Sequence, residues 1–586
     1  MPTFEEALRT VDDGFERLRS ERQVPGLAWG VVREGALVHD GGTGTIRDGE
    51  ERRPDADSVF RIASMTKSFT AATILLLRDE GRLRLDDPVA HHVPELAAWA
   101  PPTTDSGPIT IRQLLTMSAG MATDDPWGDR QQGLPLDRFA ELLAAGPSFV
   151  WPPGTTFDYS NLGYGILGRV ITNVAGAEYR HVVRDRLLVP LGLTSTVYLE
   201  GEVPEDRLAH GYVRRGDVLV REGTDGYGAL ASMGGIFSSV RDLARWVNGF
   251  LDAFPARSGP EGPHPLRRDS RREMQQAQRM YGPTVPAHAP DEAPAVRAGG
   301  YGFGLFVDMV PEVGTIVSHS GGYPGFGSNM AWHPATGLGV VGLGNIRYAW
   351  VSRTAMEALE ALVRADVAPR RAPRPIPAAA ALRPVVEALL ERWDDDAADA
   401  AFAMNMDLDV PRADRRAAIE KVAADIGSLR RDADRPERSM SPAHLDWWLR
   451  GERGWVHIKS LVTPEPSPRI QSLEVIAVGE PSTALVEAAE RVLAAAAEAE
   501  PVLPSGLLAA DGFDPEPVLR ALRVARPRFG TMELGLPIAG DGTMESTWAL
   551  VTARGSATLR LALDGTGAVT AAALQIPARE PPAEGW

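Results

Sequence analysis

The chain has 586 residues, of which 44% are hydrophobic, and a formal net charge of −17 at pH 7. This length exceeds what a single hydrophobic core supports, so we expect two to four globular domains. The acidic balance argues against a surface for nucleic acid or for an anionic membrane, because binding phosphates requires clustered cations. Small-molecule substrates are therefore the expected partners, and the sequence leaves the oligomeric state open.

The chain contains no cysteine. Disulfides, a thiolate nucleophile and Cys-ligated zinc or iron-sulfur centres are therefore excluded, and serine becomes the leading candidate nucleophile. Neither a metal nor a cofactor is predicted. The first residues enter a charged amphipathic helix without the basic and then apolar pattern of a secretory leader, which predicts a cytoplasmic location. No apolar run reaches the ~18 residues of a membrane span.

The predicted elements of the first 365 residues alternate between strands and helices. A helix over residues 5–22 comes first, and a buried helix then starts at Ser64 and ends near Gly81. Helical patterns dominate residues 84–200. The remaining predicted elements are a hairpin from residues 26–32 and 36–39, strands near 316–317, 330–332 and 338–343, and a closing helix over about 351–365. This order predicts an α/β sheet sandwiched by helices, with its two halves far apart in sequence.

A proline-rich segment over residues 369–378 marks the best domain boundary. We therefore predict a catalytic domain over residues 1–368 and two small α+β modules over residues 379–478 and 479–586. The modules carry a weak repeat at an offset of about 100 residues, with chance similarity as the alternative. The paired features are Ile426-Gly427 with Phe529-Gly530, Trp448 with Trp548, Arg453-Gly454 with Arg554-Gly555, and residues 470–473 with 574–576.

Lysine is scarce in this chain. Of 61 basic residues only three are lysines, namely Lys67, Lys421 and Lys459. Arginine stays protonated at working pH, whereas a buried lysine can lose its proton, so a retained lysine points to a need for a tunable pKa. A stray surface lysine is the alternative interpretation of Lys67.

Ser64-Met65-Thr66-Lys67 is an S-x-x-K motif at the start of the most apolar predicted helix. A spacing of three along a helix places both side chains on one face, within contact distance. A serine hydroxyl needs an adjacent base, and burial together with the positive end of the helix dipole lowers the pKa of a lysine toward neutrality. The motif therefore predicts a serine nucleophile activated by lysine, provided that Lys67 is buried.

Six segments in order resemble the serine β-lactamase-like family, which includes penicillin-binding proteins, class C β-lactamases, carboxypeptidases, D-aminopeptidases and esterases. The resemblance covers about residues 10–365 and implies an antiparallel sheet flanked by helices, with a helical subdomain. The segments are Phe60-Arg61-Ile62-Ala63-Ser64-Met65-Thr66-Lys67, Leu85-Asp86-Asp87-Pro88, residues 109–116, Trp151-Pro152-Pro153-Gly154, residues 157–164 and His319-Ser320-Gly321-Gly322.

The resemblance also implies roles for individual residues. Tyr159-Ser160-Asn161 looks like the family's Tyr-x-Asn element, in which Tyr159 would share proton transfer with Lys67 and Asn161 would hold a substrate carbonyl. A neighbouring Lys67 ammonium would favour the tyrosine anion and make the two a coupled pair. For the tripeptide alone, a structural tyrosine in a loop is the alternative.

His319-Ser320-Gly321 looks like the third family element, which is usually Lys-Thr-Gly in β-lactamases. A largely neutral histidine offers no permanent cation to a substrate carboxylate, which puts recognition of penicillin-type carboxylates in doubt. A satisfied strand-end histidine is the alternative. By resemblance, the backbone N–H groups of Ser64 and Gly322 would form the oxyanion hole.

Other motifs carry less weight. Residues 163–168 match G-x-G-x-x-G but follow a loop rather than a strand, so we interpret them as small residues on a packed helix. The pair His91-His92 lacks a ligand pattern and is expected at the surface. The sequence thus predicts a serine hydrolase that acts through an acyl-enzyme on an ester or a D-amino-acid-containing peptide. A true β-lactamase and a non-catalytic binding protein on the same fold are the alternatives.

Overall fold

The computed structural model describes residues 3–146, 148–285, 296–311, 313–365, 368, 373–435, 437, 439–498, 500–502, 507–552 and 556–576. The chain divides into two compact units, Met1–Arg370 and Arg371–Gly585. This division falls inside the proline-rich segment of the sequence. No helix in the described part of the chain is both long enough and apolar enough to cross a membrane.

The first unit contains twelve strands within its described residues. In chain order they are β1 (Gly26–Arg33), β2 (Ala36–Gly44), β3 (Val59–Arg61), β4 (Tyr212–Arg215), β5 (Val218–Arg221), β6 (Phe237–Ser239), β7 (Arg279–Thr284), β8 (Arg297–Tyr301), β9 (Phe306–Val310), β10 (Gly314–Tyr323), β11 (Phe326–His333) and β12 (Leu338–Gly344).

The helices of this unit cover the sheet and form a helical region between β3 and β4. They are α1 (Phe4–Arg22), α2 (Thr66–Asp79), α3 (Ile111–Leu115), α4 (Asp125–Gly128), α5 (Leu136–Ala145), α6 (Asn161–Ala175), α7 (Tyr179–Val183), α8 (Ala231–Gly234), α9 (Val240–Leu251), α10 (Arg268–Met274) and α11 (Val351–Arg364).

Eight strands form one antiparallel sheet in the order β2-β1-β12-β11-β10-β9-β8-β7. Strand β1 therefore pairs with β12 at the other end of the unit, with Leu27 opposite Gly344. Strands β11 and β12 are buried along their whole length, because helices pack on both faces of the sheet. The predicted α/β architecture, with an antiparallel sheet whose halves are far apart in sequence, is confirmed.

The apolar stripe of α1 explains how one face of the sheet is covered. Val11 and Phe15 are fully buried and belong to the same core as the β12 residue Val340 and the α11 residue Leu359. Thr3 starts α1 with a capping box, in which its hydroxyl accepts from the Glu6 N–H. The opposite face packs against α2 and α9, and this second core surrounds the start of α2.

The described residues of the second unit form two four-stranded antiparallel sheets, β13-β14-β15-β16 and β17-β18-β19-β20. Its elements are α12 (Pro377–Glu391), α13 (Asp395–Ala401), α14 (Met406–Asp409), α15 (Arg412–Ile426), β13 (Arg430–Arg431), β14 (His444–Gly451), β15 (Gly454–Val462), β16 (Ile470–Gly479), α16 (Thr483–Ala494), α17 (Glu516–Phe529), β17 (Met532–Ala539), β18 (Glu545–Thr552), β19 (Thr558–Leu563) and β20 (Val569–Gln575). The fold class predicted for this part, small α+β modules, is confirmed.

The suggested repeat corresponds only in part to this structure. Helices α15 and α17 each end at a glycine with positive φ, Gly427 and Gly530, before a four-stranded sheet begins. The tryptophan pairing is off by one residue. Trp447 is buried, as Trp548 is in the second sheet, and is therefore its equivalent, whereas Trp448 faces the other side of its strand. The pair Arg554-Gly555 lies outside the described residues.

The segment predicted as a linker, residues 369–378, ends earlier than expected. Helix α12 begins at Pro377, where a proline at the first helical position lacks only an N–H that would have no helical partner. The alanine-rich sequence that follows has the highest helix propensity and continues the helix.

Candidate active site

Ser64 lies on a single 3₁₀ turn, Ala63–Met65, directly before α2. The preceding residue, Ala63, adopts a left-handed backbone conformation with φ of 48° and is buried. A non-glycine residue in this region stores backbone strain, and such strain concentrates at functional sites. The turn leaves Ser64 partly accessible, although nearly all of α2 behind it is buried.

Lys67 is fully buried and its Nζ contacts three oxygen atoms. It lies 3.1 Å from Ser64 Oγ, 2.7 Å from Asn161 Oδ1 and 2.8 Å from the carbonyl oxygen of Met233. Burial lowers the pKa of Lys67 to about 8, although the carboxylates of Asp125 and other nearby aspartates oppose this shift. The condition set by the sequence, a buried lysine next to Ser64, is met.

Tyr159 lies beside this pair, with its ring centroid 4.9 Å from Lys67 Nζ. Burial, and after it the charge of Asp125, raises the pKa of Tyr159 well above its usual value of 10, although a hydrogen bond with Ser64 opposes the shift. The expectation that Lys67 favours the tyrosine anion is therefore wrong. Burial is the largest influence on its pKa, and Tyr159 is a neutral phenol at neutral pH.

Asn161 is the first residue of α6 and is 1% exposed. Its Oδ1 accepts from Lys67, and its Nδ2 donates to Asp125 Oδ1 at 2.7 Å. Asp124 fixes the start of this helix, because its carboxylate accepts the backbone N–H groups of Asn161 and Leu162 at 2.6 and 2.9 Å. In this arrangement Asn161 orients Lys67, and one N–H of its amide is already used by Asp125.

His319 lies in β10 and is 1% exposed. Its Nδ1 lies 2.6 Å from the carbonyl oxygen of Ser320 and its Nε2 lies 3.0 Å from the hydroxyl of Tyr301. A carbonyl only accepts, so Nδ1 carries the proton and Nε2 accepts from Tyr301. Burial, together with the charge of Lys67, lowers the pKa of His319 to about 3. The imidazole is neutral, as the sequence predicts for this position.

The two glycines after His319 are required by close neighbours. A Cβ at Gly321 would lie 2.1 Å from the carbonyl oxygen of Ile62, and one at Gly322 would lie 2.2 Å from the ring of Tyr348. The strand therefore passes directly against the residues before Ser64 and under the Tyr348 ring. Only glycine allows this approach.

One cavity of about 490 Å³ gathers these residues. Ser64, Tyr159, His319, Gly321 and Gly322 line it, and Lys67 and Asn161 lie behind this lining. Further residues to which the sequence analysis assigned no role also line the cavity. They are Asp125, Asp129, Phe157, Phe306, Ser320, Ser328, Tyr348, Ala349, Trp350 and Ser352.

A short sequence pattern could have identified the acidic residues near the cavity. Asp124 and Asp125 are adjacent, and Asp129 follows four residues later, one helical turn away on the same face. No comparable signal marks Tyr348, whose hydroxyl donates to Asp129 across 219 residues of chain.

The motifs that the sequence analysis set aside are not at this cavity. Residues 163–168 lie within α6, where a Cβ at Gly165 would lie 2.2 Å from Leu230 Cδ2, so these small residues do serve helix packing. His91 is exposed, and His92 is half-buried beside Asp87 at 3.0 Å. In the described part of the chain, no group of three or more potential ligands is arranged for a metal ion.

A family model described as Beta-lactamase matches residues 11–365. The chain belongs to the β-lactamase family. The resemblance inferred from the motifs is thereby confirmed. The matched residues lie within the first unit. Ser64, Lys67, Tyr159 and His319 all fall within the matched range.

Two relatives within the family are bacterial proteins that carry peptidase or penicillin-binding names. The chain is 28% identical over 311 residues to the D-alanyl-D-alanine-carboxypeptidase/endopeptidase AmpH of Escherichia coli, covering 50% of this chain and 73% of AmpH. It is 35% identical over 196 residues to penicillin-binding protein 4 of Amycolatopsis lactamdurans, covering 33% of this chain and 50% of that protein.

Among solved structures, the octameric penicillin-binding protein homologue from Pyrococcus abyssi has a similar fold, with a TM-score of 0.51 at 20% identity. The similarity covers 80% of this chain and 99% of that one. Residues 11–365 make up less than 80% of the chain, so the part that is similar to this structure also includes residues of the second unit.

Proposed function

We propose that the protein is a serine hydrolase in which Ser64 forms an acyl-enzyme and Lys67 is the general base. The observation that carries this proposal is the position of Lys67 Nζ, which is buried and 3.1 Å from Ser64 Oγ. The catalytic domain is proposed to be residues 1–368, with residues 379–478 and 479–586 as separate modules without catalytic residues. The cytoplasmic location stays a prediction.

The contacts of Lys67 suit a base. A neutral amine has two N–H bonds and one lone pair. The Oδ1 of Asn161 and the carbonyl of Met233 accept the two N–H bonds, so the lone pair is left facing the Ser64 hydroxyl. A protonated Lys67 donates to all three oxygens. The same three contacts therefore suit both protonation states, and proton transfer requires no rearrangement.

The proposed reaction follows from these positions. Ser64 Oγ attacks the substrate carbonyl carbon while its proton passes to Lys67, and the backbone N–H groups of Ser64 and Gly322 stabilise the oxyanion. The bond from carbon to the leaving group then breaks. The neutral phenol of Tyr159 donates its proton to the leaving group and recovers one from the Lys67 ammonium. Water attacks the acyl-enzyme through the same groups in reverse and releases the acid.

The preferred substrates are esters or peptides that contain D-amino acids. The peptide class is supported by the similarity to AmpH, which is called a D-alanyl-D-alanine-carboxypeptidase/endopeptidase. A true β-lactamase is the less favoured assignment, because the neutral His319 offers no permanent cation to a β-lactam carboxylate. Asn161, His319 and Gly321 are proposed to position the substrate.

Hydrolysis of p-nitrophenyl acetate and butyrate tests the proposal, with nitrocefin and D-alanine p-nitroanilide in parallel. Ester turnover should be lost in Ser64→Ala and in Lys67→Ala. Ser352→Ala is the matched control, because Ser352 is a serine that lines the same cavity outside the motif. Activity that survives Ser64→Ala would contradict the mechanism. A protein that is inactive on every substrate and is not labelled by a fluorophosphonate would instead be a binding protein on this fold.

A further inference from the structure

The charged side chains that line the catalytic cavity are carboxylates. Among the lining residues, Asp125 and Asp129 are the two carboxylic acids, and no arginine or lysine is among them. His319 lines the same cavity as a neutral imidazole. The ionisable side chains of the cavity lining that can carry negative charge are therefore Asp125 and Asp129, while Lys67 lies behind the lining next to Ser64.

Asp129 is buried and forms no direct ion pair within the described residues. It is 5% exposed and lines the cavity. The Tyr348 hydroxyl donates to its Oδ2, and within the described residues no donor contacts its Oδ1. Burial without an ion-pair partner raises the pKa of Asp129 to about 6, and the nearby Asp125 adds to this shift. A buried carboxylate in this condition is stabilised by any cation that reaches it.

The basic residues near Asp129 are engaged elsewhere. Arg130 points away and pairs with Glu222, with Nη2 to Oε1 at 2.7 Å. Lys67 is held by Asn161 and Met233 and is the proposed base. Both cations lower the pKa of Asp129 from a distance, but neither forms an ion pair with it, so a cationic group of a bound molecule would be its first direct partner.

Tyr348 connects Asp129 to the strand that carries the proposed oxyanion donor. Its ring lies against Gly322, the proposed oxyanion donor, and its hydroxyl donates to Asp129. An α-amino nitrogen lies about 2.5 Å from the carbonyl carbon and donates over a further ~2.8 Å. A carboxylate about one tyrosine ring away from the oxyanion position is therefore within reach of the amino group next to a scissile carbonyl.

We propose that Asp129, with Asp125 beside it, binds the protonated free amino group of the substrate. The inference rests on the proposed function and narrows it to amides and esters of amino acids or peptides with an unblocked N-terminus. An N-acylated substrate lacks the cation, and its amide cannot neutralise the buried carboxylate. Asp129 is then a residue that determines specificity at the catalytic cavity.

Binding to an inactive protein tests the inference apart from catalysis. We would titrate the Ser64→Ala protein with D-alaninamide and D-phenylalaninamide, and with their N-acetyl derivatives, by calorimetry at pH 7.5. The unblocked amides should bind at least tenfold more tightly than the acetylated ones. In Ser64→Ala/Asp129→Asn this preference should fall to within twofold. Equal affinities, a preference that survives Asp129→Asn, or no binding of the unblocked amides would overturn the inference.

A measurement without substitution of Asp129 covers the case in which Asp129→Asn fails to fold. In Ser64→Ala, the affinity for D-phenylalaninamide should fall as the pH is lowered from 7 to 5, because Asp129 becomes protonated while the ligand amine is already mostly protonated at pH 7. The affinity for the acetylated amide should stay constant. The groups around Asp129 are Tyr348, Asp125, Lys67 and Arg130. Unchanged affinity for the unblocked amide would overturn the inference. Turnover that is abolished by Ser64→Ala but equal for both substrate classes would leave the proposed function intact and refute only the inference.

Discussion

The proposed role of Lys67 as the general base leads to a specific prediction for the pH dependence of activity. A lysine with a pKa of about 8 is neutral in about a tenth of molecules at pH 7 and in about nine tenths at pH 9. In the proposed mechanism the neutral amine accepts the Ser64 proton, so we expect kcat/KM for p-nitrophenyl butyrate to rise about tenfold over this range and to level off above it.

The groups next to Lys67 do not titrate between pH 7 and 9. The pKa of His319 is lowered to about 3, and that of Tyr159 is raised well above 10, so neither changes charge between pH 7 and 9. The assay follows p-nitrophenolate release, corrected for its own ionisation and for spontaneous hydrolysis at each pH. A profile that is flat between pH 7 and 9, or that falls over this range, would refute the assignment of Lys67 as the base.

The chain offers matched controls because it has only two other lysines. Lys421 and Lys459 are exposed and pair with Asp425 and Glu474 in the second unit. Lys421→Ala and Lys459→Ala should keep both the wild-type rate and the rise with pH. Lys67→Ala should lower kcat/KM by about 10²-fold or more, the usual contribution of a positioned base.

Three further predictions concern the residues around the nucleophile. Gly321→Ala should abolish ester hydrolysis and destabilise the protein by about 1–3 kcal/mol, because the new Cβ overlaps the carbonyl of Ile62. Gly201→Ala is the control and should melt like the wild type, because no atom lies within 4 Å of the new Cβ. The His319 pKa of about 3 lies below that of the unfolded chain, so the unfolded state binds more protons and the wild type should lose about 2 kcal/mol between pH 7 and pH 5. Urea unfolding should show this loss reduced in His319→Gln, and an equal loss in both proteins would contradict it. Asp124→Ala removes the acceptor of two helix-start N–H groups and should cost about 1–2 kcal/mol and lower kcat/KM several-fold; an unchanged melting temperature would argue against this role.

The parts of the site that could be predicted are those written in contiguous residues. Ser64 and Lys67 are related by one helical turn, so their contact follows from spacing alone. Tyr159 and His319 were assigned through motifs that resemble a family, and the structure brings both to the same cavity. The catalytic roles of these residues remain proposals.

The parts that could not be predicted depend on tertiary packing. The contact between Tyr348 and Asp129 joins residues that no local pattern relates. The direction of the Tyr159 pKa was wrong because the sequence indicates a neighbouring amine but not the degree of burial. The tautomer of His319 follows from the carbonyl of the next residue, Ser320, but the partner of its Nε2, Tyr301, comes from β8, two strands away in the sheet.

The fold was predictable to a similar extent. The alternation of strands and helices gave the correct class, because a pattern of apolar runs persists in any α/β arrangement. The order of strands was not accessible, since the pairing of β1 with β12 is fixed only when both pack on α1 and α11. The end of the linker was misplaced because Pro377 fits the first turn of a helix as well as it fits an extended segment.

The pairing of β1 with β12 has a consequence for synthesis of the protein on the ribosome. Val32 pairs with Gly339, so β1 must wait for more than 300 further residues before its partner exists. At ~5–20 residues per second this delay is roughly 15–60 s, during which a strand that is buried over all but its last residue in the folded protein lacks its neighbour β12. A somewhat shorter delay separates Ser64 from His319. The nascent chain therefore has no assembled active site, and it depends on protection from aggregation until the first unit is almost complete.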